Sequence, residues 1–431
     1  MNHPLDRRTF LFGSLAAAAL GPSVARAAQS PEKVRLGIIG CAGQGEYNWS
    51  NVADQEFVMV CDVDLARTAK IKSQFPNAEV VQDFRRVIDR KDIDAVVVST
   101  PDHWHAIPTV WAMESGKHVY CEKPLAHSVH EVRTVMEVAR KRKRVTQMGT
   151  QIHAGANYRR VVELIRAGAI GKVKKVEVWN ASRPTPGKRG PMGEIPSTLD
   201  YDMWVGPAPM VPFSSAIVPF HWRWWWEFGG GVLADLGCHY MDLPHWALDL
   251  RQPERVSATG KEMPDADNKV PGEMRVDYYY PERDGKPPVH LVWSHGVTGP
   301  RGEDGQIRNL FGYSSGILFQ GEEGELLADY SRHKLLPEAK YADYQRPAPS
   351  IPDSVGHHKE WVQAILTGSP TTCMFEYSGA LAETVLLGNV AYRLGREIQY
   401  DSKKGRVTNV AKSDYEPLLR RDYRGDWKLK P

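Results

Sequence analysis

The chain has 431 residues, 42% of them hydrophobic and 25% charged, with a formal net charge of +3. That length and apolar content suffice for two sizeable cores, and a charge this small does not imply a nucleic-acid partner. Five cysteines, three of them on the strands or turn of the first predicted domain, do not read as a disulfide framework.

Residues 1–28 are set aside from fold reasoning. Arg7-Arg8-Thr9-Phe10-Leu11 precedes an apolar run at 12–20 that is too short to span a bilayer, and Ala25-Arg26-Ala27 supplies small residues for cleavage. The segment resembles a twin-arginine export signal, which predicts a periplasmic or otherwise exported protein that folds, and loads any cofactor, before export.

Residues 34–40 form an apolar run ending in Gly40-Cys41-Ala42-Gly43-Gln44-Gly45, which reads as strand, glycine turn and helix. Glycines let the backbone turn tightly and approach a pyrophosphate, which the N–H groups at the start of the helix then meet. Ala42 stands where the usual fingerprint has its middle glycine. A second apolar run at 57–61 ends in Asp62, about twenty residues past the turn, where a carboxylate accepts hydrogen bonds from ribose hydroxyls. Asp62 favours NAD(H) over its 2′-phosphorylated form, with Arg67 the one nearby basic group arguing otherwise. The strand at 94–100 breaks at Thr100-Pro101-Asp102-His103-Trp104-His105, and another at 117–121 delivers Glu122-Lys123-Pro124 to the same carboxyl edge, where open α/β sheets bind ligands. These readings place Gly40, Ala42, Gly43, Gln44, Gly45, Asp62, Thr100, Pro101, His103, His105, Glu122, Lys123 and Gln151 beside the cofactor.

The basic run at 140–144 reads as a helix C-terminus feeding a strand at 145–148. Residues 157–167 read as a helix, and His153, Tyr158 and Arg159 are candidates for lining the cleft by position alone. Runs at 173–179, 273–280, 290–293 and 316–319 predict an open, largely antiparallel sheet. Pro-rich stretches at 181–220 and 331–355 read as loops able to lie over the cleft, and 356–366 and 378–394 as helices. Phe220-His221-Trp222-Arg223-Trp224-Trp225-Trp226 offers aromatic faces of the kind that stack on sugar rings, so Trp222 and Trp224 are substrate candidates, although tryptophans equally fill cores. Asp235 and His239, four residues apart on one helical face after Gly229-Gly230-Gly231, pair a carboxylate with an imidazole suited to removing a hydroxyl proton. The scattered histidines match no structural zinc spacing, so no metal is expected, and His357-His358 reads as a solvent or interface pair.

Taken in order, the glycine turn, the Ser-Thr-Pro-Asp-His segment, Glu122-Lys123-Pro124 and the Asp235 to His239 motif resemble the Gfo/Idh/MocA oxidoreductase family across residues 33–400. The resemblance implies a Rossmann domain at 33–152, an α+β domain with a mostly antiparallel sheet at 153–400, a tail at 401–431 and a homodimer or homotetramer. It also implies that Lys123 contacts substrate and nicotinamide ribose, while Asp235 and His239 bind the reacting hydroxyl and His239 serves as acid/base. The function expected is NAD-dependent oxidation of a sugar, polyol or glycoside with the cofactor retained. Relatives of this kind also include redox-neutral NAD-dependent glycosidases, which oxidise, eliminate, hydrate and reduce. A non-catalytic dinucleotide-binding protein is a third reading, against which Lys123 and His239 both count.

Overall fold

The computed structural model describes residues 33–190, 193–302 and 305–429; the expected export signal at 1–28 lies outside the described residues. Short runs, most of them apolar, form six strands: β1 (Arg35–Ile39), β2 (Glu56–Cys61), β3 (Glu79–Val81), β4 (Ala95–Val98), β5 (His118–Cys121) and β6 (Thr146–Met148). They assemble in the order β3-β2-β1-β4-β5-β6 with every adjacent pair parallel. All four residues of β4 are buried, as expected of a parallel sheet covered on both faces. The covering helices are α1 (Gln44–Ser50), α2 (Ala69–Gln74), α3 (Arg85–Asp89), α4 (Ala106–Glu114) and α5 (Val129–Arg142). Strand order reverses between β1 and β4, which opens a crevice outside their carboxyl ends.

Helix α5 has defined ends. Ser128 accepts from the Glu131 N–H while the Glu131 carboxylate accepts from the Ser128 N–H, and Arg140, Lys141 and Arg142 fill the last turn before Lys143 closes it in the left-handed region. The basic run is thus a helix terminus that leads into β6, as its sequence suggested.

The second sheet contains β7 (Val173–Asn180), β8 (Arg255–Glu262), β9 (Pro271–Tyr280), β10 (Val289–His295), β11 (Gly316–Gly321), β12 (Glu325–Ala328), β13 (His333–Leu336), β14 (Ile398–Asp401) and β15 (Arg406–Val407). Their order is β13-β12-β11-β7-β10-β9-β8-β14-β15; β7 and β10 run parallel and every other pair is antiparallel. With them go α6 (Ala156–Arg166), α7 (Tyr201–Val205), α8 (Gly231–Tyr240), α9 (Asp242–Leu248), α11 (Phe375–Leu394) and α12 (Lys412–Leu419), whereas α10 (His357–Thr367) puts Trp361 and Val362 into the core of the first sheet. Helices α8 and α11 pack against this sheet and against each other. A separate apolar cluster of Trp179, Val297, Leu310, Tyr313, Leu318, Leu327 and Leu336 also forms on it.

Three expectations need correction here. The Pro-rich stretch at 331–355 is not all loop, because His333–Leu336 pairs with β12; that at 181–220 contains α7, capped by the Asp200 carboxylate. Residues 401–429 are not a free tail. Arg421 and Tyr423 reach Glu131, and the Trp427 ring lies 4.8 Å from that of Trp104 and 6.0 Å from that of Phe84.

Candidate active site

The crevice at the switch in strand order deepens into a cavity of about 400 Å³. Its lining includes Gly40, Ala42, Gly43, Gln44, Asp62 and Arg67 from the nucleotide side of the sequence and Asp102, Lys123, Trp222, Arg223, Asp235 and His239. The sheet supplies the first group and the loop after β5, while the aromatic turn and α8 supply the rest.

The glycine turn is shaped by close approach. A Cβ on Gly40 would lie 2.5 Å from the Ser99 carbonyl oxygen, and one on Gly45 would lie 2.1 Å from the Gly40 carbonyl oxygen, so glycine at 40 lets the turn lie against the end of β4 and glycine at 45 lets α1 sit this near β1. Gly45 therefore serves packing and does not line the cavity. At Gly43, with φ +61°, a Cβ would meet nothing within 4 Å, so this stretch of backbone faces open space. Asp62 is buried, and its two oxygens accept from the Cys41 N–H (2.9 Å) and the Asp64 N–H (3.1 Å). Burial raises its pKa, opposed by those two hydrogen bonds. The Thr100 hydroxyl is buried with no partner among the described residues. Open backbone at Gly43, a fixed carboxylate at Asp62 and an unsatisfied hydroxyl at Thr100 fit a bound dinucleotide.

Glu122 is also buried, but it anchors the loop from within. Its Oε1 accepts from Asn48 (2.9 Å), Gln151 (2.9 Å) and Gln44 (3.2 Å), and its Oε2 from the Lys123 N–H (3.2 Å). A Cβ on Gly149 would come within 2.5 Å of Oε1, so the carboxylate is wedged against the end of β6.

Lys123 reaches α8, with Nζ 2.7 Å from Asp235 Oδ1 and 2.8 Å from the Asp235 carbonyl oxygen. Burial acts to lower the lysine pKa, but Asp235, Glu122 and Asp102 outweigh it and the net direction is up. The Asp235 carboxyl is held down at about 2 despite its burial, because Lys123 and Arg223 face it. Arg223 Nε stands 3.4 Å from the same oxygen, and its guanidinium lies over the rings of Trp222 (4.3 Å) and Phe220 (4.4 Å). One helical turn on from Asp235, His239 faces the cavity; burial first and Lys123 second bring its pKa to about 3, so the imidazole is neutral. The lysine, the carboxylate and the imidazole anticipated from sequence thus meet in one cavity.

Several other candidates are turned away from its interior. His103 is fully buried with Nε2 2.9 Å from the Trp204 carbonyl oxygen, because its ring turns into the seam between the strand-end loop and α7. His105 touches the cavity edge, but its ring nitrogens lie 2.6 and 2.8 Å from the Pro124 and Thr100 carbonyl oxygens and brace two loops. His153 stacks on Trp246 at 3.9 Å and pairs with the buried Asp242 at 2.9 Å. The Tyr158 hydroxyl donates to the His239 carbonyl oxygen from behind α8 (3.2 Å), and Arg159 ties the Ala154 carbonyl to Asp353. Trp224 is buried in the core, leaving Trp222 and Phe220 as the cavity's aromatics from that turn. His357 and His358 are buried rather than at a surface, bonded to the Met148 carbonyl oxygen and to Asn48 Oδ1, each at 2.9 Å.

Residues that sequence reasoning passed over include Asp64, Gln82, Phe84, Met203, Trp204, Val218, Pro219 and Arg223. Arg223 stood within a stretch already singled out for its aromatics, but nothing in its spacing said that it would face Asp235.

The chain belongs to the Gfo/Idh/MocA oxidoreductase family: the profile for its NAD-binding Rossmann fold matches residues 34–150, and that for its C-terminal alpha/beta domain matches residues 164–285. The cofactor of the first domain is accordingly NAD. Among curated relatives, inositol 2-dehydrogenase 3 of Saccharopolyspora erythraea is 36% identical over 143 residues, or 32% of this chain and 42% of that protein. The alpha-N-acetylgalactosaminidase of Shewanella oneidensis is 32% identical over 157 residues, 33% of this chain and 34% of the relative. The matched region thus spans well under half the length of either relative. The same fold recurs in the WlbA dehydrogenase of Bordetella pertussis, solved with NADH and UDP-GlcNAcA (TM-score 0.60, 18% identity, covering 86% of this chain and 99% of that one). It recurs also in the aldose-aldose oxidoreductase of Caulobacter crescentus (TM-score 0.57, 18% identity, covering 85% and 99%).

Proposed function

We propose that the protein oxidises a hydroxyl-bearing carbon of a sugar, cyclic polyol or glycoside with NAD held in place between turnovers, the reduced nicotinamide then returning its hydride to the carbonyl carbon of a second sugar. The observation that carries this reading is the meeting of His239, Lys123 and Asp235 in the same cavity as the Gly43 turn and Asp62. Gly43, Asp62 and Thr100 would hold the dinucleotide, which when bound supplies a hydride acceptor.

The protein's own groups handle the proton and the charge. Neutral His239 takes the hydroxyl proton at a ring nitrogen as the carbon loses hydride. Lys123, kept protonated by Asp235, opposes the negative charge that develops on oxygen. Asp235 holds the ammonium in position and leaves its remaining acceptor capacity for the same hydroxyl. Trp222 and Phe220 offer flat apolar faces suited to a sugar ring. The inositol dehydrogenase among the relatives supports a polyhydroxylated substrate. Retention of NAD follows from the export expected of residues 1–28, since free nucleotide is scarce outside the cytoplasm. A homodimer or homotetramer remains part of the proposal, through the nine-stranded sheet.

The test is to purify the protein without added nucleotide and record the reduced-nicotinamide absorbance while adding free sugars, inositols and nitrophenyl glycosides. A rise in that band of up to one equivalent of bound nucleotide on adding a free sugar or inositol, reversed by a second sugar that offers a carbonyl, supports the proposal. Release of nitrophenol with no net change in the band would transfer the assignment to redox-neutral glycoside cleavage, the chemistry suggested by the galactosaminidase relative.

A further inference from the structure

Asp102 differs from every other acidic group on the cavity wall. It follows Pro101 at the end of β4, lines the cavity and is 5% exposed. Glu122 has four donors, Asp235 has Lys123 and Arg223, and Asp62 has two backbone N–H groups. No hydrogen bond or ion pair from a described residue reaches the Asp102 carboxyl. Leaving a carboxyl without a donor in such a place is unfavourable, and a donor entering the cavity relieves it. The facing charges are Lys123 and Glu122 from the loop after β5, Arg223 from the aromatic turn and Asp235 from α8. Lys123 and Arg223 are both turned to Asp235, and neither donates to the Asp102 carboxyl.

We propose that Asp102 contacts the substrate directly, accepting a hydrogen bond from a hydroxyl next to the carbon being oxidised, so that the preferred substrate presents two adjacent hydroxyls. The inference rests on the oxidoreductase reading above and assigns to Asp102 the recognition of the neighbouring hydroxyl. One hydroxyl meets His239 and Lys123, and its neighbour meets Asp102 on the adjoining wall. Burial raises the Asp102 pKa to about 7 against the pull of Lys123 and Arg223. The carboxyl therefore becomes a stronger acceptor as pH rises through neutrality, and the KM for such a substrate falls over the same range.

The experiment compares the native protein with Asp102→Asn and Asp102→Ser, using D-glucose, D-galactose and myo-inositol and the monodeoxy analogues of each. Melting temperature confirms folding, and quenching of nicotinamide fluorescence reports nucleotide affinity. The native protein should prefer the best parent compound over the analogue lacking the neighbouring hydroxyl by about 10- to 100-fold in kcat/KM, the range for a hydrogen bond to a charged group. Asp102→Asn should lose most of that preference, chiefly through KM, and should also lose the fall of KM with pH, while nucleotide affinity changes less than about twofold. If both variants keep the native preference, or if nucleotide affinity falls as far as KM rises, the substrate contact is refuted while the oxidoreductase reading stands. If the native protein turns over no compound of the panel, both readings fall together.

Discussion

Lys123, Asp235 and His239 carry the proposed chemistry, and each depends on its neighbours for the protonation state it needs. Lys123 stays charged because Asp235, Glu122 and Asp102 overcome its burial, while His239 stays neutral because burial and the same lysine disfavour its cation. Replacing His239 by Asn should lower kcat by about 10²- to 10⁴-fold, the usual contribution of a positioned acid/base, with nucleotide affinity kept. Single-turnover absorbance measurements would check it, and a loss under about fivefold would remove His239 from the proton path. These three residues were legible in the sequence because each sits in a short motif whose spacing sets its direction: Lys123 at a strand end, Asp235 and His239 on one helical face. His103, His153 and Arg159 were not, since their directions are set by Trp204, Asp242 and Asp353, each between about 90 and 200 residues away along the chain. Asp102 was legible as a position and not as a site, because a missing partner is visible only once the partners of Glu122 and Asp235 are known.

At the scale of elements, β1 with α1 and the capped helix α5 show local sequence and tertiary contact agreeing. Gly45→Ala would place a methyl carbon 2.1 Å from the Gly40 carbonyl oxygen, forcing α1 away from β1. Nucleotide affinity should fall at least about tenfold, equivalent to about 1.4 kcal/mol; titration giving native affinity would contradict this account of the turn. Ser128→Ala breaks the reciprocal bonds with Glu131 at the start of α5 and should lower stability by about 1 kcal/mol, read as a lower denaturant midpoint at unchanged slope. Apolar runs bounded by Gly, Pro or Asp made β1, β2, β4 and β5 readable. The short strand His333–Leu336 was hidden in a Pro-rich stretch because its pairing with β12, not its composition, makes it a strand.

Across the whole molecule, buried imidazoles set the response to acid. Burial holds His103 and His245 down to about 3, and His105, His295 and His358 to about 4, against an ordinary value of 6.5. Between pH 6.5 and 4 the unfolded chain binds more protons at these sites than the folded one, so stability falls as pH falls, by about 1.4 kcal/mol per pH unit for each histidine. Asp102, raised to about 7, acts in the opposite direction over this window, and Asp62 and Glu122, also raised, act with it; the five histidines outweigh them. The melting temperature should therefore drop on going from pH 7 to pH 5, and a flat or rising profile would show that the buried histidines are not held neutral. The packing of Trp427 on Trp104 and Phe84 was beyond sequence reading, because nothing local ties the last residues to β4's loop or to α3's start. The two-domain plan was readable, since the change from strands alternating with helices to strands following strands is written in the order of the apolar runs.

The central claim is that the cavity joining Asp62 to His239 transfers hydride from a carbohydrate carbon to NAD. Its most direct test is to load the protein with NAD, add the best sugar or inositol of the panel deuterated at every carbon, and examine the nucleotide by mass spectrometry after rapid quenching. Deuterium on the nicotinamide ring in the native protein, and its absence in Lys123→Met and His239→Asn, is the result this account predicts. A nucleotide free of deuterium at every time point, while substrate is still consumed, would contradict it.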